Sequence, residues 1–454
     1  MTMPRMTFVA AVEPRATRIR FLEVVARRDG YSVGSEDIRQ CFDNPTQAAR
    51  ESAALAKPLA TISQQVAFQE TQARAANPNA SAEAMSEALT LSQASSDDLL
   101  TSLAEKGGFL QNHLTKEFVD ACQSHGFLTG EPNEPELNVQ EATDVEHVLW
   151  DFMYDDEALD DVRWEAFWGF RVPITHWVRK SRSEELRVRH SLFAGIYEAL
   201  PFAAREVAGV AERLQCGPAY QSVAAGFRAV VRAELMNDNR TEKEADEWLA
   251  RRGDAWFQDF LVECSPKPTS ARWKQKQLVE ILRATQQGTD LLHFACHAIS
   301  TGDVEATHEM KMSVGGEELT IQVGTIISNL KRDVKAFEPG PFVFLNACRD
   351  LSVQREFQPA PFATAWIQCG AQAVVSTVCP VPDYFAHAFA LKYYDFLFGR
   401  EQATYAGEPV AGSLACALLA TRRYFMEKHR NPLGLAYVLY APARARLIRM
   451  RSTG

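Results

Sequence analysis

The chain contains no apolar run near the roughly 18 residues that a membrane-spanning helix needs. Its first residues also lack the basic, apolar, small-residue order of a secretory leader. Both absences lead us to expect a cytoplasmic protein with no membrane partner. Positive charge is scarce as well: 48 Lys and Arg against 58 Asp and Glu give a formal net charge of −10. Duplex binding depends on neutralising phosphates, so no direct nucleic-acid partner is expected, and the basic stretch from Arg444 to Arg451 is too short to reverse this. The nine cysteines are odd in number and form no C-x-x-C pair, which fits reduced thiols better than a disulfide framework. No internal repeat of fixed period is visible. What is present is bulk: 454 residues, 46% of them hydrophobic, enough for a large core and roughly two to three domains.

The first third is mixed in pattern. Alternation in Thr7 to Glu13 and Thr17 to Ala26, followed by an Asp29-Gly30 turn, predicts a small β-ribbon. Asn44 before Pro45 is a helix-start signal, opening a helical segment through Ala76 that Pro58 should kink or break. Ser81 to Asp98 reads as either a marginal surface helix or a partly flexible stretch. Asp97 to Lys106 and Phe109 to Ser124 read as two helices with Gly107-Gly108 between them. Gly126 to Glu136 has linker composition. The expected division is therefore an N-terminal β-ribbon and helical region over 1–140 and a main domain over 141–454.

From His147 the chain turns aromatic, in HVLWDFMYD and WEAFWGFRVPITHWV, as expected of a core beneath a sheet. Strand and helix patterns then alternate. Ser191 to Ala199 reads as a strand and Phe202 to Leu214 as a helix, with Ala219 to Leu249 an inserted helical stretch. Phe260 to Cys264 (strand), Ala271 to Ala284 (helix) and Leu291 to Cys296 (strand) follow. Met310 to Ile321 fits a hairpin around Gly315-Gly316, and Val323 to Arg332 a helix. Phe342 to Cys348 (strand), Phe362 to Cys369 (helix) and Ala371 to Val378 (strand) come next. Helices over Asp383 to Phe398 and Val410 to Lys428 precede a last strand, Ala436 to Tyr440. Such alternation predicts an α/β fold with a mostly parallel sheet covered on both faces. Sites in such sheets form at the C-terminal ends of strands.

Two strands end on reactive side chains. LLHFACHA (Leu291 to Ala298) delivers His297, and PFVFLNACRD (Pro341 to Asp350) delivers Cys348. A cysteine attacks as its thiolate, only a few per cent populated at neutral pH unless an imidazolium or helix N-terminus lowers its pKa. A histidine on the adjacent strand would do that. Taken singly, a cysteine closing an apolar strand is more often a small buried hydrophobe, and the other eight are read that way. Cys296 should face the opposite side of the sheet from His297. His293, four residues before His297, shares its face and reads as a hydrogen-bonded core histidine near the site. His293, His297 and Cys348 make only a weak zinc set, with no carboxylate or second cysteine pair, so neither a metal nor a cofactor is expected.

In caspases the histidine precedes a Q-A-C-[RQG]-G signature by about fifty residues, and His297 precedes Asn346-Ala347-Cys348-Arg349 by a similar interval. The wider pattern resembles the CHAT proteases, caspase-like cysteine peptidases of clan CD. Their H-F-x-x-H-G strand end matches His293-Phe294-Ala295-Cys296-His297, and their [SN]-A-C matches Asn346-Ala347-Cys348. Their G-A-x-x-V-V strand matches Gly370-Ala371-Gln372-Ala373-Val374-Val375, and their W-x-V-x-D loop matches Cys379-Pro380-Val381-Pro382-Asp383. Leu149-Trp150-Asp151 is a weaker match to a P-W-E-L-like element. Two positions depart: Ala298 replaces the usual glycine, and Cys379 replaces tryptophan.

The resemblance implies a caspase-like three-layer α/β/α domain in which Cys348 and His297 act as a dyad without a third catalytic side chain. It implies an oxyanion hole from the backbone amides of Ala298 and Cys348. Substrate contacts are expected near Asn346, Asp350, Asp383 and Asp303; an acidic pocket would favour a basic residue before the scissile bond. The family setting further implies regulated bacterial proteolysis, often in defence, with a protein substrate that can be a genomic neighbour and a protein partner as trigger. With predicted structure filling Met310 to Arg332, a single uncut chain is expected. Two other readings share these residues: an inactive caspase-like scaffold, favoured by Ala298, and another Cys-His hydrolase such as a deamidase.

Overall fold

The computed structural model describes residues 21–27, 30–33, 36–38, 42–76, 82–128, 134–140, 148–156, 161–177, 185–188, 192–197, 200–214, 241–244, 246–247, 290–299, 309–314, 317–322, 324, 340–348, 360–442 and 444–449. The expected strand Phe260 to Cys264, the helix Ala271 to Ala284, and most of Ala219 to Leu249 and of Val323 to Arg332 lie outside these residues. Two compact units emerge. The first holds 1–186, 356–360 and 375–448, and the second holds 187–355, 361–374 and 449–454.

In the first unit four strands run parallel in the order Tyr437–Tyr440, Ile174–Trp177, Glu136–Gln140, Phe21–Arg27. Gly30–Val33 and Glu36–Ile38 extend them antiparallel. The described part of the predicted ribbon, from Phe21 onward, is thus the edge of a larger sheet, while Thr7 to Glu13 lies outside the described residues. The first helix starts where Asn44 and Pro45 signal it, Asn44 accepting from the Gln47 N–H at 3.1 Å; the helices expected from Phe109 and Val410 instead start at Lys116 and Leu414, where Thr115 and Ser413 cap them. The first helical segment breaks at Leu55, between Pro45–Ala54 and Ala56–Ala76, which leaves Pro58 in a first turn where its missing N–H costs nothing.

Gly107-Gly108 does not break the chain into separate helices; a single helix, Gln93–Asn112, runs through both glycines. A Cβ on Gly107 would sit 2.1 Å from the Phe152 carbonyl oxygen. The glycine serves close packing against the buried aromatic segment rather than termination. That segment is the core of the unit: Trp150 packs against Phe42, Phe118 and Trp168 at centroid distances of 5.5, 5.8 and 6.1 Å.

The second unit is built on Leu291–Ile299. Phe342–Cys348 pairs with it in parallel along one edge. Leu192–Ile196 (parallel) and Glu309–Val314 (antiparallel) share the other edge, and Glu317–Gln322 completes the expected hairpin. Side chains alternate across this strand and find a helix on each face. Ala295 packs with Ala203 and Val207 of the Ala203–Leu214 helix, while Phe294 meets Trp366 of the Ala360–Gln368 helix at 5.1 Å. Burying a residue such as Phe294 contributes about 1.5–3 kcal/mol. The result is helix, mostly parallel sheet, helix. At the base of Phe342–Cys348, Gly340 lies so near the Gly370 carbonyl that a Cβ would approach within 2.2 Å, and Gln372 donates to the Pro341 oxygen at 3.0 Å.

Candidate active site

Leu291–Ile299 and Phe342–Cys348 stay in register from Leu291 and Phe342 to His297 and Cys348. The two residues read as a dyad are therefore direct cross-strand partners at the C-terminal end of a parallel pair. Neighbouring strands lie about 4.8 Å apart. His297 is largely buried, 9% exposed. The ring of Tyr197 stacks on it, with centroids 5.6 Å apart and planes at 24°. Tyr197 follows the Leu192–Ile196 strand and donates its N–H to the Ala295 oxygen at 3.0 Å.

Beneath this pair lies a buried polar cluster. Glu206, on the Ala203–Leu214 helix, accepts at one carboxylate oxygen from His293 Nε2 and from Asn346 Nδ2, each at 2.7 Å. Glu206, His293 and Asn346 are 2%, 0% and 0% exposed. His293 also stacks on its register partner Phe344 at 5.2 Å. The expectation of a hydrogen-bonded core histidine describes His293, while Asn346 turns its amide into the protein.

Three of the other described cysteines are chemically muted. Burial, helped by the charge of Glu206, pushes the Cys296 thiol far above its ordinary range. Burial does the same to Cys379 and raises Cys416 to about 12. None of these supplies a thiolate near neutral pH. Ala298 continues the extended strand, opposite Met310, a conformation in which alanine is unstrained. Asp383 opens the Asp383–Leu397 helix and accepts from Arg74 Nη2 at 3.2 Å. Asp303 and Asp350 lie outside the described residues. Among the described residues no group of three or more His, Cys, Asp and Glu is arranged to hold a metal ion, and no helix is long and apolar enough to cross a membrane.

Glu206 and Tyr197 were not singled out by the sequence. Glu206 had left a signal: it interrupts the apolar stripe Ala203, Val207, Val210, Leu214, where a carboxylate is out of place unless a partner meets it. Tyr197 left none, since an aromatic closing a strand reads equally as core.

A parallel sheet between helix layers, with a histidine strand and a cysteine strand ending side by side, is the layout of a caspase-like peptidase fold. The CHAT domain family matches residues 5–423, and the chain belongs to that family. A probable protease of Vitiosangium sp. (strain GDMCC 1.1324) is 27% identical over 181 residues, covering 38% of this chain and 20% of that protein. The match thus spans about a fifth of the relative's length. A chain of the Saccharomyces cerevisiae separase–securin complex aligns with 86% of this chain and 23% of its own, at 9% identity and a TM-score of 0.33. A likeness that loose carries no argument.

Proposed function

We propose that this CHAT-family chain is a cysteine endopeptidase acting through a Cys348 and His297 dyad on a protein substrate. The observation that carries the reading is the register: Cys348 and His297 are paired positions at the ends of two parallel strands. The stacked Tyr197 ring limits how His297 can turn.

His297 takes the Cys348 proton, and the thiolate attacks the scissile carbonyl to form a tetrahedral oxyanion. The backbone N–H groups of Ala298 and Cys348 would hold that oxyanion. Collapse breaks the C–N bond, and the leaving amine takes the proton from His297. Water, deprotonated by the same imidazole, then hydrolyses the thioester and restores Cys348. By the family resemblance Asp303 and Asp350 would border the substrate, favouring a basic residue before the cut; a peptide-library profile dominated by neutral or acidic residues there would reject this. The biological setting we propose is bacterial regulated proteolysis, with an activating protein partner and a genomic neighbour as substrate, in the cytoplasm.

The test co-expresses wild type, Cys348→Ala and His297→Ala with the neighbouring proteins. Cutting of one neighbour by wild type, reduced by at least about 10³-fold in both variants, is expected. A neighbour cut equally by Cys348→Ala would reject the dyad. Should none be cut, selective labelling of Cys348 by an electrophilic probe separates a missing trigger from an inactive scaffold.

A further inference from the structure

Among the described residues of the second unit, Glu206 is a group whose burial needs a reason. Its carboxylate lies in the apolar stripe of the Ala203–Leu214 helix, beside Ala203 and Val207, which pack on Ala295. Removing a carboxylate from water costs several kcal/mol even after relaxation, and a well-packed apolar residue is often as stabilising. A leucine would continue the stripe. The carboxylate instead collects two donors at one oxygen, one from each strand that leads to the dyad: His293 from the histidine strand and Asn346 from the cysteine strand, both at 2.7 Å. Asn346 stands two residues before Cys348 and His293 four before His297, so all four hold the same strand face by the period of two.

We propose that Glu206 is a positioning residue for the dyad, acting through His293 and Asn346 to fix the two strand ends against each other. This inference rests on the dyad reading above. Charge-assisted hydrogen bonds are roughly twice as strong as neutral ones and more demanding of geometry. A single acceptor shared by both strands ties their relative slide and twist to one point on the helix. The distance from imidazole to thiol sets how much thiolate Cys348 carries, so a fault in this tie is read at Cys348 even though Glu206 does not touch the reacting atoms.

The experiment measures iodoacetamide alkylation of Cys348 against pH by peptide mass mapping, on the full chain, with no substrate required. Wild type and His297→Ala are compared first: the dyad reading expects a thiol titrating below the free value of about 8.5 that His297→Ala returns toward it. Glu206→Ala should then move the profile upward and slow alkylation at pH 6.5 by about tenfold, and Glu206→Gln, which keeps a neutral acceptor, by about threefold. Thermal melting is recorded alongside. A role in stability alone would lower the melting temperature and leave the Cys348 profile in place, and that result overturns the inference. Where Glu206→Ala does not fold, Glu206→Gln decides, and an unmoved profile overturns it equally. A wild-type profile that His297→Ala fails to move overturns the dyad and this inference with it, whereas one that His297→Ala moves and both Glu206 variants do not overturns the inference alone.

Discussion

Each unit buries a histidine against a carboxylate at 2.7 Å, His176 with Asp151 in the first and His293 with Glu206 in the second, yet the two carboxylates have different further partners. Asp151 also receives Arg422 Nη2 at 2.6 Å on its other oxygen. Arg422 gives further hydrogen bonds to the Gly169 and Tyr437 carbonyls, and Asp151, His176 and Arg422 are each at most 1% exposed. Burial pushes Asp151 up, but the guanidinium and the His176 hydrogen bond more than offset it and hold the group at about 2. Glu206 meets an imidazole and an amide at a single oxygen. A carboxylate matched by a guanidinium fastens a core, whereas one shared between two strands sets their geometry. The same pair of residue types therefore serves cohesion in one unit and, in our proposal, alignment in the other.

The hardest way to break the comparison is to remove the cation from the first cluster. Arg422→Met leaves Asp151 charged and buried and should cost about 3–5 kcal/mol in denaturant unfolding. Adding Asp151→Asn should recover some of that loss, since the uncompensated charge goes with it. A double variant no more stable than the single would mean that the carbonyl contacts of Arg422, not the ion pair, hold the core. Acid acts on the same group. Its folded pKa lies below the ordinary 3.8, so its contribution of about 2 kcal/mol is full above pH 4 and lost as pH falls through 2.

Glu70 sharpens the contrast, being a third buried carboxylate, with weaker compensation. It accepts from the Tyr384 and Phe385 N–H groups at 3.2 and 2.8 Å. It thereby caps the Asp383–Leu397 helix, whose N-cap, Pro382, has no side-chain acceptor. Burial dominates over those hydrogen bonds and raises it to about 7 from 4.5. Here the sign is reversed: the folded protein binds the proton more tightly than the unfolded chain, so stability falls as pH rises from about 4.5 to 7, by about 3 kcal/mol in all. Glu70→Gln removes the charge but offers one carbonyl where the carboxylate offers two oxygens. The variant should flatten the pH dependence across that window and gain about 1 kcal/mol at pH 8. An unchanged slope in pH-resolved denaturation would mean that Glu70 is not the titrating group.

What the sequence revealed and what it hid follow the same physics. Strand periodicity and the ordered motifs located Leu291–Ile299, Phe342–Cys348 and the helices around them, because burial on both faces leaves long apolar runs bounded by turns. That Cys348 and His297 end adjacent strands in register was legible from their interval and the ordered motifs around them. Glu206 was legible only as an anomaly in an apolar stripe, since its partners lie 87 and 140 positions away. Glu70 was hidden for the same reason, 314 and 315 positions from the amides it caps. Gly107 misled because a helical glycine demanded by close packing looks, in one dimension, like a helix end.

The smallest effect expected is at Tyr197, and it separates ring stacking from hydrogen bonding as the support for His297. Stacked aromatic pairs contribute about 0.5–1.5 kcal/mol beyond their buried area. Tyr197→Phe keeps the ring face over the imidazole and should leave stability within about 0.5 kcal/mol and Cys348 alkylation at the wild-type rate. Tyr197→Ala removes the face and should cost about 1 kcal/mol, with alkylation near neutral pH slowed about threefold as His297 gains rotational freedom. If Tyr197→Phe falls as far as Tyr197→Ala, the phenol oxygen carries the support. His293 and His297 in the second unit would then both be held through polar anchors, and the contrast with the aromatic packing around Trp150 in the first would be the sharper for it.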